Sequence, residues 1–295
     1  MDRVLSVVAS GLLIGGVYAL IAVGLNLVFG VLRIVNFAHG ALVMLGMYGA
    51  WICVTQFGIP VYASVVLVAP ALFVIGLVLQ KLLLAPLQNQ PNMQIFATFG
   101  LLIVIENAVL AATRGESYSV PHVYAGAWRL GAVTLGVDRL LIFGVATLIT
   151  IALSWFLRST MAGKAVRAIT QDRTAARLMG INVQRAFLLT FGLGAALAGV
   201  GGVMLAPVYS LTPTIGDTFI IAAFAVVVLG GLGSVAGAYV GGLLVGVLES
   251  LAGFYIDPSL KQAIWFVIFI IALVVRPAGL FGKSGAQEVG LRQVH

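Results

Sequence analysis

Charge is what this chain has least of. Only 8% of its 295 residues are Asp, Glu, Lys or Arg, where a soluble domain carries about 25%, so a water-facing surface cannot be covered and a soluble fold is excluded. Cysteine is nearly missing as well. Cys53 stands alone inside an apolar run, which excludes an internal disulfide framework and a thiolate metal cluster. The three histidines, His39, His122 and His295, are far apart, and no metal-ligand spacing or catalytic constellation is present, so the chain is not expected to be an enzyme.

What is there is apolar: 61% of the residues are hydrophobic. Windows without a single charge run over 4–32, 34–80, 82–105, 140–157, 186–216, 218–248 and 262–275, and most exceed the roughly 20 residues that cross a bilayer. The window 34–80 has room for two crossings, with a break at Gly58-Ile59-Pro60. These windows predict membrane helices over 5–30, 38–56, 61–84, 95–113, 140–158, 185–206, 218–231 with 235–253, and 260–276. The stretch 218–253 is too long for one crossing and is interrupted by Gly230-Gly231-Leu232-Gly233-Ser234. It is two short helices or one broken helix, the kind that lines substrate paths in transporters. The expected fold is an all-α integral membrane bundle of about eight to nine transmembrane helices with one broken or re-entrant segment, a single domain over 1–295. With only Arg3 before it and no small-residue cleavage site, the first apolar segment is expected to be a retained helix.

Lys and Arg accumulate in short cytoplasmic loops. The stretch 158–185 holds Arg158, Lys164, Arg167, Arg173, Arg177 and Arg185 against Asp172 alone, so it is expected inside. Alternate crossings then put Arg33, Lys81, Arg276, Lys283 and Arg292 inside, and Arg3, Arg114, Arg129, Arg139 and Lys261 outside. That count requires an external N-terminus and a cytoplasmic tail at 277–295. The same bias accounts for most of the net charge of +7; lipid headgroups, not nucleic acid, are the expected partner of these bases.

Within the loop 159–184, Ala165, Ile169, Ala176, Leu178 and Met179 are apolar positions among bases, and Gly180 can end a helix. An amphipathic helix parallel to the membrane is expected there. It lies on headgroups or docks a partner; charge pattern alone does not decide.

Polar residues at membrane depth are costly unless paired or facing water. Asn36 and His39 either cap or bridge helices near the cytoplasmic face, satisfying backbone groups freed at the turn, or belong to a pathway or its inner gate. Glu106 and Glu249, the acids within predicted spans, face the bundle or water, as structural partners or as sites for a substrate ammonium. Asp217 reads as a helix N-terminal acid. Gly231 and Gly233 fall in the interrupted segment. Glycines four apart, Gly11/Gly15, Gly237/Gly241 and Gly242/Gly246, suit close helix packing. Gly282-Lys283-Ser284 imitates the end of a phosphate loop, but Pro277 stands where its first glycine belongs. Gly231-Leu232-Gly233-Ser234-Val235-Ala236 imitates a dinucleotide fingerprint but lies inside a membrane run.

The run Gly16-Val17-Tyr18-Ala19-Leu20-Ile21-Ala22-Val23-Gly24-Leu25-Asn26-Leu27, followed by Asn36-Phe37-Ala38-His39-Gly40 and Met44-Leu45-Gly46, resembles the LivH family, permeases of branched-chain amino acid ABC importers. Gly230 to Ala238 with Gly241-Gly242, and Arg276-Pro277-Ala278-Gly279-Leu280-Phe281-Gly282, are similar to that family's late broken helix and C-terminal signature. Thr174-Ala175-Ala176-Arg177-Leu178-Met179-Gly180 resembles the coupling loop of ABC importer permeases, with Thr174 in place of the usual Glu. The resemblance implies a bacterial inner-membrane subunit that forms half of a path for Leu, Ile, Val or related amino acids. It implies a second, LivM-like permease, two cytoplasmic ATPase subunits and a periplasmic substrate-binding protein as partners. ATP and Mg²⁺ would be bound by the ATPases, with no cofactor in this chain. Lys164, Arg167, Thr174, Ala175, Ala176 and Gly180 would couple it to them. A related permease for urea or short amides, and an ion-coupled secondary transporter, are the alternatives.

Overall fold

In lipid every backbone N–H and C=O must find a partner inside the protein, which makes the helix the solution for long apolar runs. The computed structural model describes residues 2–121, 126–130, 133–256, 261–275 and 279–282. In chain order the elements are α1 (Asp2–Leu32), α2 (His39–Phe57), α3 (Val65–Leu79, continued by a π-helical turn Gln80–Leu84), α4 (Pro91–Thr113), β1 (Ala127–Leu130), β2 (Val133–Gly136), α5 (Val137–Ser159), α6 (Met161–Gln171), α7 (Arg173–Leu178), α8 (Val183–Leu205), α9 (Ile215–Gly230), α10 (Val235–Tyr255) and α11 (Lys261–Val275). Among the described residues seven helices, α1 to α5, α8 and α10, are long and apolar enough to cross a membrane, while α9 and part of α11 are shorter apolar helices. The all-α membrane bundle expected from the charge-free windows is therefore present. The antiparallel hairpin of β1 and β2, which pairs Ala127 with Gly136 and Leu130 with Val133, is an addition that those windows do not announce.

Burial separates centre from periphery. The apolar windows of α1 and α8 are 83% and 78% buried, those of α3 and α4 22% and 11%. Glycine sets the spacing at the centre. A methyl group on Gly11 would stand 2.7 Å from the Val247 Cα, and one on Gly15 2.7 Å from the Gly242 carbonyl. α1 and α10 are thus antiparallel and in backbone contact, and Gly11/Gly15 and Gly242/Gly246 are the two sides of one seam. Gly241 packs in the same way on Val226, and Gly237 on Gly230, so α9 and α10 form an antiparallel pair joined by the turn 231–234.

Two polar contacts fix the outer helices. The π-helical turn leaves the Leu84 carbonyl for Gln94 of α4, whose Nε2 donates to it at 2.9 Å. The Tyr62 hydroxyl donates to Asp138 Oδ1 at 2.9 Å, tying the α2–α3 loop to the first turn of α5. At one end of the bundle Tyr118 pairs its backbone with Leu211 and stacks on Trp51, ring centroids 4.3 Å apart.

Candidate functional site

α1 stops at Leu32 because Arg33 takes the left-handed conformation, φ 58°, and residues 33–36 are irregular before α2 begins at His39. The chain turns back along α1. His39 Nε2 lies 3.0 Å from the Ile21 carbonyl, eleven residues before Leu32, or about 16 Å along the helix at 1.5 Å per residue. A carbonyl only accepts, so Nε2 carries the proton and Nδ1 the lone pair. His39 therefore bridges α2 to the middle of α1, deeper than the turn itself. Thr98 of α4 holds this segment: its hydroxyl lies 3.3 Å from the Val35 carbonyl and accepts from the Phe37 N–H at 3.3 Å. Asn36 is 1% exposed, and neither its Oδ1 nor its Nδ2 has a hydrogen-bond partner, nor has His39 Nδ1. Burying an amide unpaired costs on the order of 1–3 kcal/mol, so this segment holds polar capacity that the isolated chain does not use.

Gly231 and Gly233 lie in a knot that sequence reasoning missed. The Asn26 side chain of α1 donates from Nδ2 to the carbonyls of Gly231 at 3.2 Å and Ser234 at 2.7 Å. Its Oδ1 accepts from the Gly233 N–H at 2.6 Å. Gly231 and Gly233 adopt φ 103° and 83°, a region that glycine enters at little cost. From the far side, Leu280 and Phe281 donate their N–H groups to the carbonyls of Leu229 at 2.8 Å and Gly230 at 3.0 Å. The two glycines therefore serve the turn itself. Asn26 belongs to a motif quoted above, yet its partners are more than 200 residues away and no local signal points to them. The rest of the 277–295 tail lies outside the described residues, apart from 279–282.

The acids separate. Glu249 is 4% exposed; its Oε2 accepts from the Trp265 indole at 3.0 Å, and Tyr18 and Tyr209 stand beside it. Glu106, half-buried on α4, faces Asp217 in the first turn of α9. Asp217, read from sequence as a helix N-terminal acid, is that and also the neighbour of a second carboxyl group. Among the described residues no three His, Cys, Asp or Glu converge as for a metal ion.

The basic loop is two helices, not one. Asp172 breaks it, its Oδ1 accepting from the N–H groups of Thr174 at 2.8 Å and Ala175 at 2.9 Å as the N-cap of α7. Gly163, Val166, Ile169 and Ala176 face inward, so of the six expected coupling residues Ala176 is the one buried within the chain. Lys164, Arg167, Thr174, Ala175 and Gly180 are exposed, and Gly180, at φ 80°, terminates α7. Leu178 and Met179, apolar positions that amphipathicity would turn inward, point outward at 83% and 82% exposure. Arg173 lies 4.5 Å over the Phe187 ring of α8. Burial, with Arg33 and Arg177 nearby, pushes its pKa below the usual arginine value. This contact ties the arm to the start of α8 beside the end of α1. Asp172→Ala is expected to cost about 1 kcal/mol of local stability, seen as faster amide exchange confined to 173–178; unchanged exchange there would refute the cap.

The sequence model of the family described as branched-chain amino acid transport system / permease component matches residues 7–273. The high-affinity branched-chain amino acid transport system permease protein LivH of Salmonella typhimurium is 31% identical over 298 residues, covering 95% of this chain and 96% of that protein. The corresponding BraD of Pseudomonas aeruginosa is 32% identical over 295 residues, with the same coverage. The fructose import permease protein FrcC of Rhizobium meliloti is more distant, 26% identical over 192 residues, 62% of this chain and 52% of its own. Among solved structures, PsaBC from Streptococcus pneumoniae in complex with Fab aligns with a TM-score of 0.50 at 13% identity, covering 92% of this chain and 93% of that one, a likeness of fold.

Proposed function

This chain belongs to the family of branched-chain amino acid transport system permease components, and from that premise we propose that it is the permease subunit of an ATP-driven importer of leucine, isoleucine and valine. The bundle forms half of the path, and a second, related permease supplies the other half. Two cytoplasmic ATPase subunits bind ATP and Mg²⁺, and a substrate-binding protein delivers the amino acid. In this reading α1 to α5, α8, α9, α10 and α11 make nine crossings, with the N-terminus outside and the C-terminus in the cytoplasm. The pairing of α9 with α10 then takes the place of a single broken helix. Asn36, His39 and the Glu106–Asp217 pair are the polar groups of this half open to a partner or to substrate. Alternating access follows when the ATPases move the arm.

The observation that carries the reading is the arm. A lone membrane protein gains nothing from holding two large apolar side chains at its tip in water, whereas an ATPase groove would bury both, with Lys164, Arg167 and Thr174 at its rim. The paired substitution Leu178→Asp and Met179→Asp leaves the bundle untouched. It is expected to abolish co-purification of the ATPase subunits and to lower ATP-driven leucine uptake in proteoliposomes at least tenfold. A chain that purifies alone and takes up leucine on an ion gradient without ATP would overturn the proposal in favour of a secondary transporter.

A further inference from the structure

Of the peripheral helices α3, α4 and α5, α4 is the least covered by the rest of the chain, its apolar window 11% buried against 22% and 28%. It is also the one with an ionisable residue away from its ends, Glu106. Along its open side Phe96, Phe99, Ile103, Val104 and Leu110 are exposed. Asn107 is exposed as well, its Nδ2 donating to the Ile103 carbonyl of its own helix at 2.8 Å. Glu106 stands beside them with Oε1 buried and without a hydrogen-bond partner, and its neighbour Asp217 is exposed.

These carboxyl groups lie at membrane depth. A methyl group on Gly216, next to Asp217, would stand 2.7 Å from the Gly40 carbonyl, and Gly40 follows His39, which is bonded to the middle of α1. The Phe37 ring meets Phe99 of α4 at 5.9 Å and Phe224 of α9 at 5.6 Å between centroids. The chain leaving the irregular segment thus passes between these two helices, and backbone of that kind at membrane depth must be covered by protein or line a water-filled cavity.

Lipid does not suit this face, because two carboxyl groups and an amide in hydrocarbon are costly unless they meet protein or water. A water-filled path does not suit it either, since an open apolar row such as Phe96, Phe99, Ile103 and Leu110 marks a contact surface. α3 and α5 show the contrast. Val66, Val74 and Val78 on one and Leu148, Ile151 and Trp155 on the other are exposed, with no charge among them, as lipid requires. Apolar side chains interspersed with hydrogen-bonding groups match a second protein, which covers the former and pairs with the latter.

We propose that α4 and the start of α9 seat the second permease, one membrane helix of which lies along Phe96 to Leu110 and offers a hydrogen-bond donor to the Glu106–Asp217 pair. The proposal rests on the importer reading and adds to it the surface on which the two halves meet.

Photo-crosslinking in the complete importer in nanodiscs tests it, with Ile103, Asn107 or Leu110 replaced by p-benzoylphenylalanine and Val74 or Ile151 replaced for comparison. Irradiation is expected to join the α4 positions to the second permease with at least fivefold the yield of the comparison positions, which give lipid adducts. Equal yields from the two sets, or lipid adducts alone from α4, would overturn the surface. Glu106→Leu is expected to lower recovery of the second permease on the tagged chain at least fivefold, and Glu106→Gln, which keeps an acceptor, to spare most of it. Size-exclusion chromatography of each variant chain alone checks its fold. Full recovery on a well-folded Glu106→Leu chain would overturn the pairing with the acids. A chain that purifies with no second permease removes the importer reading and this surface with it, whereas an intact importer without α4 adducts removes the surface alone.

Discussion

Asn26→Leu is expected to lower the melting temperature of the detergent-solubilised chain by about 10 °C and to abolish transport. The substitution keeps the side chain's size and removes all three hydrogen bonds to the turn 231–234. It leaves the N–H of Gly233 without its partner and takes one of two donors from each of the carbonyls of Gly231 and Ser234, which keep the N–H groups of Ser234 and Ala238. The unpaired N–H costs about 1–3 kcal/mol when buried, and each lost carbonyl contact about 0.6 kcal/mol, as interhelical hydrogen bonds in membranes average, so about 3 kcal/mol in total is expected. For a chain of this size a loss of 1 kcal/mol moves the transition by roughly 2–4 °C. The damage should spread along the chain, because the turn also accepts the N–H groups of Leu280 and Phe281 through Leu229 and Gly230. Asn26→Asp discriminates polarity from fit: its oxygen still accepts from Gly233, but both donor contacts become oxygen against oxygen, so it should not rescue. A transition within about 2 °C of the unmodified chain for Asn26→Leu would show that the knot is incidental.

How much of this was legible in advance depended on the range of the signal. The helices were legible, because a charge-free window is a local property and the bilayer fixes the length it must reach. So were the pairing of Gly11/Gly15 with packing, and the end of the arm at Gly180. The hairpin of β1 and β2 was not, since strands of four residues are too short to show alternation between long apolar runs. The arm's division at Asp172 was in reach, as Asp ahead of Arg-Thr-Ala-Ala can cap a helix, but the run of bases masked it. What lay out of reach was contact across sequence. Asn26 meets its turn, Glu106 meets Asp217 and Thr98 holds Val35 and Phe37 only because helices far apart in sequence are neighbours. Polarity marked His39 as a residue needing a partner. Its depth was hidden, because six residues between two apolar runs read the same whether they turn at the surface or climb back into the bundle.

Gly202→Val tests whether glycine in this bundle sets helix spacing or is merely tolerated, and it is expected to prevent accumulation of folded protein. α8 crosses α2 at Gly202, where an added Cβ would be driven into the Val43 carbonyl and would stand 2.8 Å from the Met47 nitrogen and 2.9 Å from the Gly46 Cα. All three are backbone atoms, so no rotamer change relieves the overlap and the crossing itself must open. Opening it would also part Gly46 from Gly199 and disturb α2 a turn or two beyond His39. Overpacking costs about 1–3 kcal/mol where side chains can give way, and more where they cannot. The contrast is Gly100 on α4 and Gly144 on α5, where nothing lies within 4 Å of an added Cβ. Alanine at those positions is expected to be neutral, or to stabilise by up to about 1 kcal/mol through helix propensity alone. Yield and size-exclusion profile of fluorescent fusions would separate the cases. If Gly202→Val accumulated as well as Gly100→Ala, close backbone contact would not be what assembles the centre of this bundle, and the antiparallel seam of α1 and α10 would need another explanation as well.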